Sequence, residues 1–169
     1  MDKPGSTSPR TATRILFRVA AVFTAILALV VRVMGAGWYL ILFGLFMLFG
    51  AVIHLLVQFA ATGRRVRSDR LSGPWLALSD LCFFFGYTMQ MDGGDASGCN
   101  IGLVNFLASL AGRIRWGGAV WFYTGDVCGG FNTFALVLLG VLIATWLIIP
   151  ALTLRHMPPA PQAGAAPAA

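Results

Sequence analysis

Two ionisable residues, His54 and Asp80, lie inside long apolar stretches of the sequence, where ionisable side chains are rare. With a helical rise of about 1.5 Å per residue, His54 lies about 12 Å from the polar segment that begins at Thr62. By the same measure, Asp80 lies about 9 Å from Pro74, the residue at which the next apolar stretch begins after that polar segment. The two side chains therefore fall at similar depth in adjacent helices. Arg18 lies one turn inside a further stretch on the same side, so an Arg18–His54–Asp80 cluster is geometrically possible.

This intramembrane polar cluster has a functional and a structural interpretation. Ionisable groups at membrane depth serve proton relays, ligand sites and cofactor contacts in many membrane proteins. They also clamp helices together, with interhelical polar contacts contributing about 0.6 kcal/mol each on average. We expect the structural clamp, because one His and one Asp do not by themselves define a reaction. Arg18 has a further alternative, which is to extend its guanidinium to the lipid headgroups.

Cys99 and Cys128 are a second pair of residues that could take part in chemistry, in this case by forming a disulfide. Both lie in residues 92–130, the longest segment between apolar stretches, and they bracket a helical pattern. If that segment is extracytoplasmic, as the basic residues indicate below, a disulfide between them would persist. Closing a loop of about 30 residues would stabilise the fold by about 3 kcal/mol through the unfolded state. We expect this bridge, with two free thiols as the alternative, and we interpret Cys82 as a small buried apolar residue.

Four apolar stretches must position these residues: 15–34, 36–61, 74–91 and 131–152. The chain has 169 residues, of which 58% are hydrophobic and 11% charged, whereas soluble domains have about 45–50% apolar and about 25% charged residues. A spanning helix needs about 17–25 apolar residues, a length that all four stretches reach. We therefore predict an all-α integral membrane fold over residues 15–152, a four-transmembrane-helix bundle with a disulfide-constrained outer loop. The flanking segments 1–14 and 153–169 are predicted to be disordered cytoplasmic tails.

The positions of the basic residues predict the orientation of the bundle. Of the twelve Lys and Arg residues, nine fall in the two tails, at the start of the first stretch and in the loop 62–73. Arg32, Arg113 and Arg115 fall on the other side. Because short cytoplasmic loops carry the excess of Lys and Arg, we predict a multi-pass protein of the cell membrane with both termini cytoplasmic. Residues 92–130 are then the outer loop.

One segment of the outer loop has the pattern of an amphipathic helix. The apolar positions at helical spacing are Leu103, Phe106, Leu107, Leu110 and Ile114. The opposite face carries Asn105, Ser109 and Arg113. The segment is too mixed in polarity to span a membrane, so we expect it to lie in the outer interface with its apolar face toward the lipid.

Several chemical signatures are missing from the sequence. No glycine-rich loop has the spacing that cradles phosphates, and no Cys or His pair has metal-ligand spacing. No Ser, His and Asp set has positional support, so we assign no catalytic residue and no metal site, and the cofactor stays unknown. The basic residues form no long soluble basic face, which argues against nucleic acid as a partner. Membrane lipid and other membrane proteins are the expected partners.

These features leave three functional hypotheses. Small size and the shortage of motifs favour a non-catalytic accessory or structural subunit of a larger membrane complex, which is the function we expect. The second hypothesis is a resemblance: four stretches, cytoplasmic termini and an outer loop with two cysteines around a helix are similar to the bacterial quinone-dependent enzymes that oxidise periplasmic thiol oxidases. That resemblance implies the bacterial inner membrane and quinone-linked thiol-redox activity, but those enzymes carry Cys-x-x-Cys where this chain reads Met34-Gly35-Ala36-Gly37. The third is a small proton-coupled transporter that uses His54 and Asp80.

Overall fold

The computed structural model describes residues 9–34, 38–63, 72–93, 98–116, 118–123 and 125–155. The helices are α1 (Pro9–Met34), α2 (Trp38–Ala61), α3 (Ser72–Thr88), α4 (Gly102–Leu110) and α5 (Gly125–Arg155). Two short strands, β1 (Met91–Gly93) and β2 (Cys99–Ile101), pair antiparallel between α3 and α4. The described part of the chain is therefore almost entirely helical, as the sequence predicts.

Three of the helices are long and apolar enough to cross a membrane. They contain the segments Thr11–Val33, Gly44–Ala61 and Asp126–Leu152. Large apolar side chains remain exposed on their outer faces, among them Phe23 and Leu45. Apolar surface on this scale marks contact with a membrane or with partner proteins, so these helices indicate a membrane protein. The fourth long helix, α3, has 17 residues, which reach about 25 Å against a hydrocarbon thickness of about 30 Å.

The central helix of the bundle is α3, which packs against both α1 and α5. Near its start, Leu76 joins Ala61 and Ile149 in a small apolar cluster. In its middle, Cys82 and Phe83 belong to the main core cluster, to which α1, α2 and α5 also contribute. A helix enclosed by its neighbours can carry polar residues, because the neighbouring helices supply their hydrogen-bonding partners.

The first helix begins earlier than the sequence predicts. It starts at Pro9 rather than at residue 15, so residues 9–14 are helical and do not belong to a disordered tail. Proline suits the first turn of a helix, because the N–H that it lacks has no intrahelical acceptor there. Residues 1–8 of the predicted tail lie outside the described residues.

The last helix is also longer than predicted. It begins at Gly125 rather than at residue 131 and ends at Arg155, beyond the predicted end of the fourth stretch. Asp126 lies in its first turn, where a carboxylate interacts favourably with the helix dipole. Cys128 is consequently a helical residue and not a loop residue. Residues 156–169, the remainder of the predicted C-terminal tail, lie outside the described residues.

The third helix ends three residues before its predicted end at residue 91. The hydroxyl of Thr88 donates to the carbonyl of Phe84 at 2.8 Å, within the last turn of the helix. The chain then becomes extended, and Met91 pairs with Ile101 in the hairpin. Strand pairing replaces helical hydrogen bonds here, so the hairpin closes the end of the bundle nearest the predicted outer loop.

Candidate functional site

The side chains of His54 and Asp80 meet inside the bundle. α2 supplies the histidine and α3 the aspartate, and the ring Nε2 lies 2.9 Å from the carboxylate Oδ1. His54 has 0% of its surface exposed, and Asp80 is also buried. The two residues that the sequence places at similar depth therefore face each other across the interface between α2 and α3.

A third helix determines which ring nitrogen of His54 carries the proton. The indole N–H of Trp146, on α5, points at Nδ1 over 3.4 Å. An indole nitrogen can only donate, so Nδ1 must be the acceptor. The proton of a neutral imidazole then resides on Nε2, which donates to the carboxylate of Asp80. The two contacts form a directed chain from Trp146 through His54 to Asp80.

Gln58 completes the network from the same face of α2. It lies four residues after His54, which places both side chains on one side of the helix. Its amide nitrogen donates to Oδ1 of Asp80 at 2.9 Å and to the carbonyl of Leu76 at 3.1 Å. Phe83 stacks on the imidazole with ring centroids 4.4 Å apart. We call the set His54, Gln58, Asp80 and Trp146 the polar clamp, because it joins α2, α3 and α5.

Arg18 does not belong to the polar clamp: of the Arg18–His54–Asp80 cluster, the structure brings His54 and Asp80 together and places Arg18 beside Thr62. Its guanidinium donates to the hydroxyl of Thr62 at 3.0 Å and to the Thr62 carbonyl at 3.2 Å. It also lies 5.2 Å from the ring centroid of Phe59. Thr62 directly follows α2, where unpaired carbonyls and the helix dipole attract a cation. The end of α2 thus competes successfully with the buried carboxylate for this arginine.

The predicted disulfide between Cys99 and Cys128 is confirmed. The sulfur atoms lie 1.97 Å apart, and the bond joins β2 to the first turns of α5. Cys99 is buried, and its backbone N–H and carbonyl exchange hydrogen bonds with Phe122, each at 2.9 Å. This environment is that of a structural bridge. Cys82 is a free buried cysteine, as the sequence suggests.

The helix predicted in the outer loop is present as α4 but ends at Leu110 rather than near residue 114. Gly112 has a φ of +67°, and the N–H groups of Gly112 and Arg113 return to the carbonyls of Ser109 and Ala108. Such hydrogen bonds with a left-handed glycine terminate helices. Asn105, on the predicted polar face, is buried and accepts a hydrogen bond from the N–H of Val120 at 2.7 Å.

Arg32 is a buried residue that the sequence interpretation missed. The prediction placed it at the outer end of the first span, whereas only 1% of its surface is exposed. Its Nη1 donates to the carbonyl of Gln90 at 2.7 Å, which ties α1 to the turn after α3. A signal was present: Arg32 continues the stripe of Ala21, Ala25 and Ala28, all buried on one face of α1.

Comparisons with known proteins do not extend this description. Protein-family models, curated proteins and solved structures give no significant match to the chain. Within the described residues, no group of three or more His, Cys, Asp or Glu side chains is placed to hold a metal ion. The polar clamp and the disulfide are thus the arrangements on which a functional argument rests.

Proposed function

We propose that the chain is a non-catalytic integral membrane protein that acts as an accessory or structural subunit of a larger complex in the bacterial inner membrane. The observation that carries this proposal is the enclosure of the polar clamp. Both ring nitrogens of His54 have partners inside the protein, and Phe83 covers one ring face. A substrate site at His54, or a proton relay that begins there, needs at least one of these nitrogens to face water or substrate.

The proposal includes four membrane crossings, with α3 as the third. Although α3 is short, its first turns lie beside Ala61 at the end of α2. The turn after its last residue receives Arg32, near the end of α1. These contacts support a crossing of α3 between the same two levels as its neighbours, although α3 is the shortest of the long helices. The arginine-rich segment between α2 and α3 then lies in the cytoplasm with both termini, following the positive-inside rule.

Transmembrane helices of other proteins are the partners that we propose. The outer face of α1 exposes Leu16, Val19 and Phe23, and that of α2 exposes Leu45 and Phe49. Such faces fit either lipid chains or apolar helices of similar character. A subunit role requires that at least one of them is covered by a partner in the native membrane.

The test is site-specific photocrosslinking in native membranes. A photoreactive amino acid is introduced at Phe23 on α1, Leu45 on α2 and Leu147 on α5, all three of them exposed. We expect one position to give a single protein adduct that also co-purifies in mild detergent at constant stoichiometry, with the other two positions as internal controls. Adducts with lipid alone at all three positions would contradict the subunit role. So would a catalytic activity that His54→Gln abolishes while the protein stays folded.

A further inference from the structure

A cavity of about 410 Å³ lies between α2, α3 and α5, at the hairpin end of the bundle. α2 contributes Phe46 and Met47, α5 contributes Asn132 and Leu136, and Tyr87 belongs to α3. The volume falls within the range of small-molecule sites, about 300–1,000 Å³. The cavity is separate from the polar clamp, although Tyr87 stacks on Phe83, which in turn stacks on His54.

Three polar side chains converge on this cavity: Tyr87, Gln90 and Asn132. They supply one hydroxyl and two primary amides, so that donors and acceptors are both present. In the part of the chain that the structure describes, these three side chains make no hydrogen bond, while the backbone carbonyl of Gln90 accepts one from Arg32. All three residues are only partly buried, so their polar groups are within reach of a molecule in the cavity, and a bonding partner there would stabilise them in this largely apolar setting. Their convergence points to an occupant with hydrogen-bonding atoms of its own.

The remaining lining restricts the chemistry of that occupant. None of the side chains that line the cavity is ionisable as a carboxylate, an amine, a guanidinium or an imidazole, so the site offers no counter-ion to a charged ligand. Phe46 and Leu136 are its most exposed lining residues, at 69% and 55%. Both are apolar and lie on helices long enough to cross a membrane. An apolar tail can therefore extend past them into the bilayer.

We propose that this cavity binds a neutral amphipathic molecule from the bilayer, with a hydroxyl or carbonyl head group and an apolar tail. The head group bonds to the amides of Gln90 and Asn132 and to the hydroxyl of Tyr87. The tail passes between Phe46 and Leu136. This site does not depend on whether the chain is a subunit of a complex, since all of its walls come from one molecule.

The test uses three photoactivatable diazirine probes with the same C12 chain: an alcohol, a carboxylate and a plain hydrocarbon. The full chain is reconstituted in phosphatidylcholine vesicles, labelled, and mapped by mass spectrometry. We expect the alcohol to label the cavity residues saturably, with competition by unlabelled 1-dodecanol. The carboxylate should need at least about tenfold more probe, because no side chain that lines the cavity carries a positive charge. The hydrocarbon should label exposed helix faces without saturation.

Two variants and one control make the result specific. Tyr87→Phe and Asn132→Leu should each raise the half-saturating alcohol concentration about threefold to tenfold, the effect of losing one hydrogen bond. Thr133→Val removes a neighbouring hydroxyl that is exposed outside the cavity and should change nothing. Thermal unfolding of each variant verifies folding. Equal saturable labelling by all three probes, or unchanged alcohol binding in a folded Tyr87→Phe Asn132→Leu double variant, would overturn the proposal.

Discussion

The carboxylate of Asp80 accepts hydrogen bonds at one oxygen from two buried side chains, His54 and Gln58, each over 2.9 Å. Asp80→Leu would leave both donors without an acceptor, and each unsatisfied buried group costs about 1–3 kcal/mol. Asp80→Asn keeps a carbonyl oxygen in the same place. We therefore expect Asp80→Leu to lower the thermal unfolding temperature in detergent much more than Asp80→Asn does.

The neighbouring residue provides the control for this comparison. Leu81 is exposed on the outer face of α3, so Leu81→Ala should leave the unfolding temperature nearly unchanged. If Asp80→Asn and Asp80→Leu destabilise the protein equally, the hydrogen-bond account of the polar clamp is wrong. If both variants remain fully stable but lose the same biological activity, proton transfer through His54 replaces the structural role, because neither substituted side chain carries a titratable proton.

Gly50 permits the tight contact between α2 and α3. A Cβ atom at this position would overlap the hydroxyl of Tyr87, whose ring is held by stacking on Phe83. Gly50→Ala should therefore destabilise the protein by about 1–3 kcal/mol, the usual cost of overpacking. Gly140→Ala is the matched control, since a Cβ there meets nothing within 4 Å and alanine favours the helix. Chemical denaturation of the two variants in detergent measures the difference.

A second substitution tests the cause of that loss. Tyr87→Phe removes the hydroxyl that the new methyl group would overlap, so it should restore part of the stability that Gly50→Ala removes. The test is a double-mutant cycle, in which the double variant must lose less stability than the sum of the losses of the two single variants. Additive losses would show that the clash at Gly50 involves some group other than the tyrosine hydroxyl.

The candidate site was predictable from the sequence only where depth alone decides the outcome. His54 and Asp80 lie at similar distances from one polar segment, and they do face each other. Depth does not give the rotation of a helix or the other acceptors near a side chain, which is why Arg18 was grouped with His54 and Asp80 although it binds Thr62. Trp146 could not be found in this way, because its contact with the imidazole depends on how α5 packs beside α2.

The disulfide fixes the hairpin and α4 to the start of α5. Trypsin cleaves after arginine, so digestion without reduction should yield the peptides 71–113 and 116–155 joined through Cys99 and Cys128. Reduction should separate them. Finding the two peptides apart in membranes alkylated at once after lysis would contradict the bridge. Cys82 lies in the first peptide and should appear as an alkylated thiol once the protein is unfolded.

The same bridge should protect a specific part of the backbone. Cys99 and Phe122 exchange two backbone hydrogen bonds beside the bridge. In a Cys99→Ser Cys128→Ser variant we expect faster hydrogen exchange at those amides, while the amides of α2 keep their protection. Cys82→Ala, which leaves the bridge intact, is the control. Uniform loss of protection over the whole bundle would show that the disulfide is needed for global folding and not only for the loop.

Helix ends were less predictable than helix cores, for reasons that differ from one end to the next. Apolar composition locates a stretch but does not mark where hydrogen bonding continues into polar residues, as it does from Pro9 in α1 and from Gly125 in α5. α4 ends early because Gly112 adopts a left-handed conformation. The pattern of apolar positions through Ile114 gave no sign of that turn.

The sequence predicts the apolar helices of the bundle but not which of them lies at its centre. The shortest long helix, α3, occupies that place. Its central position accounts for a composition that includes Ser79 and Asp80, both buried. The outer helices instead present apolar side chains to the surroundings. Buried polar residues on α1, α2 and α3 and apolar side chains on the outer faces are the arrangement that lipid favours, because lipid offers polar side chains no partner.

The crossing of α3 and the orientation of the bundle can be tested together with introduced thiols. We expect Ala119→Cys, which lies exposed between α4 and α5, and Ser97→Cys to react with an impermeant maleimide on intact cells. Ser68→Cys, in the arginine-rich segment, should react only after the membrane is permeabilised. The native cysteines should not react without reductant, because Cys99 and Cys128 are bonded and Cys82 is buried, and the unmodified chain checks this.

Reaction of Ser68→Cys alone from outside would show that the bundle has the opposite orientation. Reaction of Ser68→Cys and Ala119→Cys from the same side would show that α3 does not cross. The basic residues favour the first pattern, since moving the arginine-rich segment across the membrane opposes the positive-inside rule.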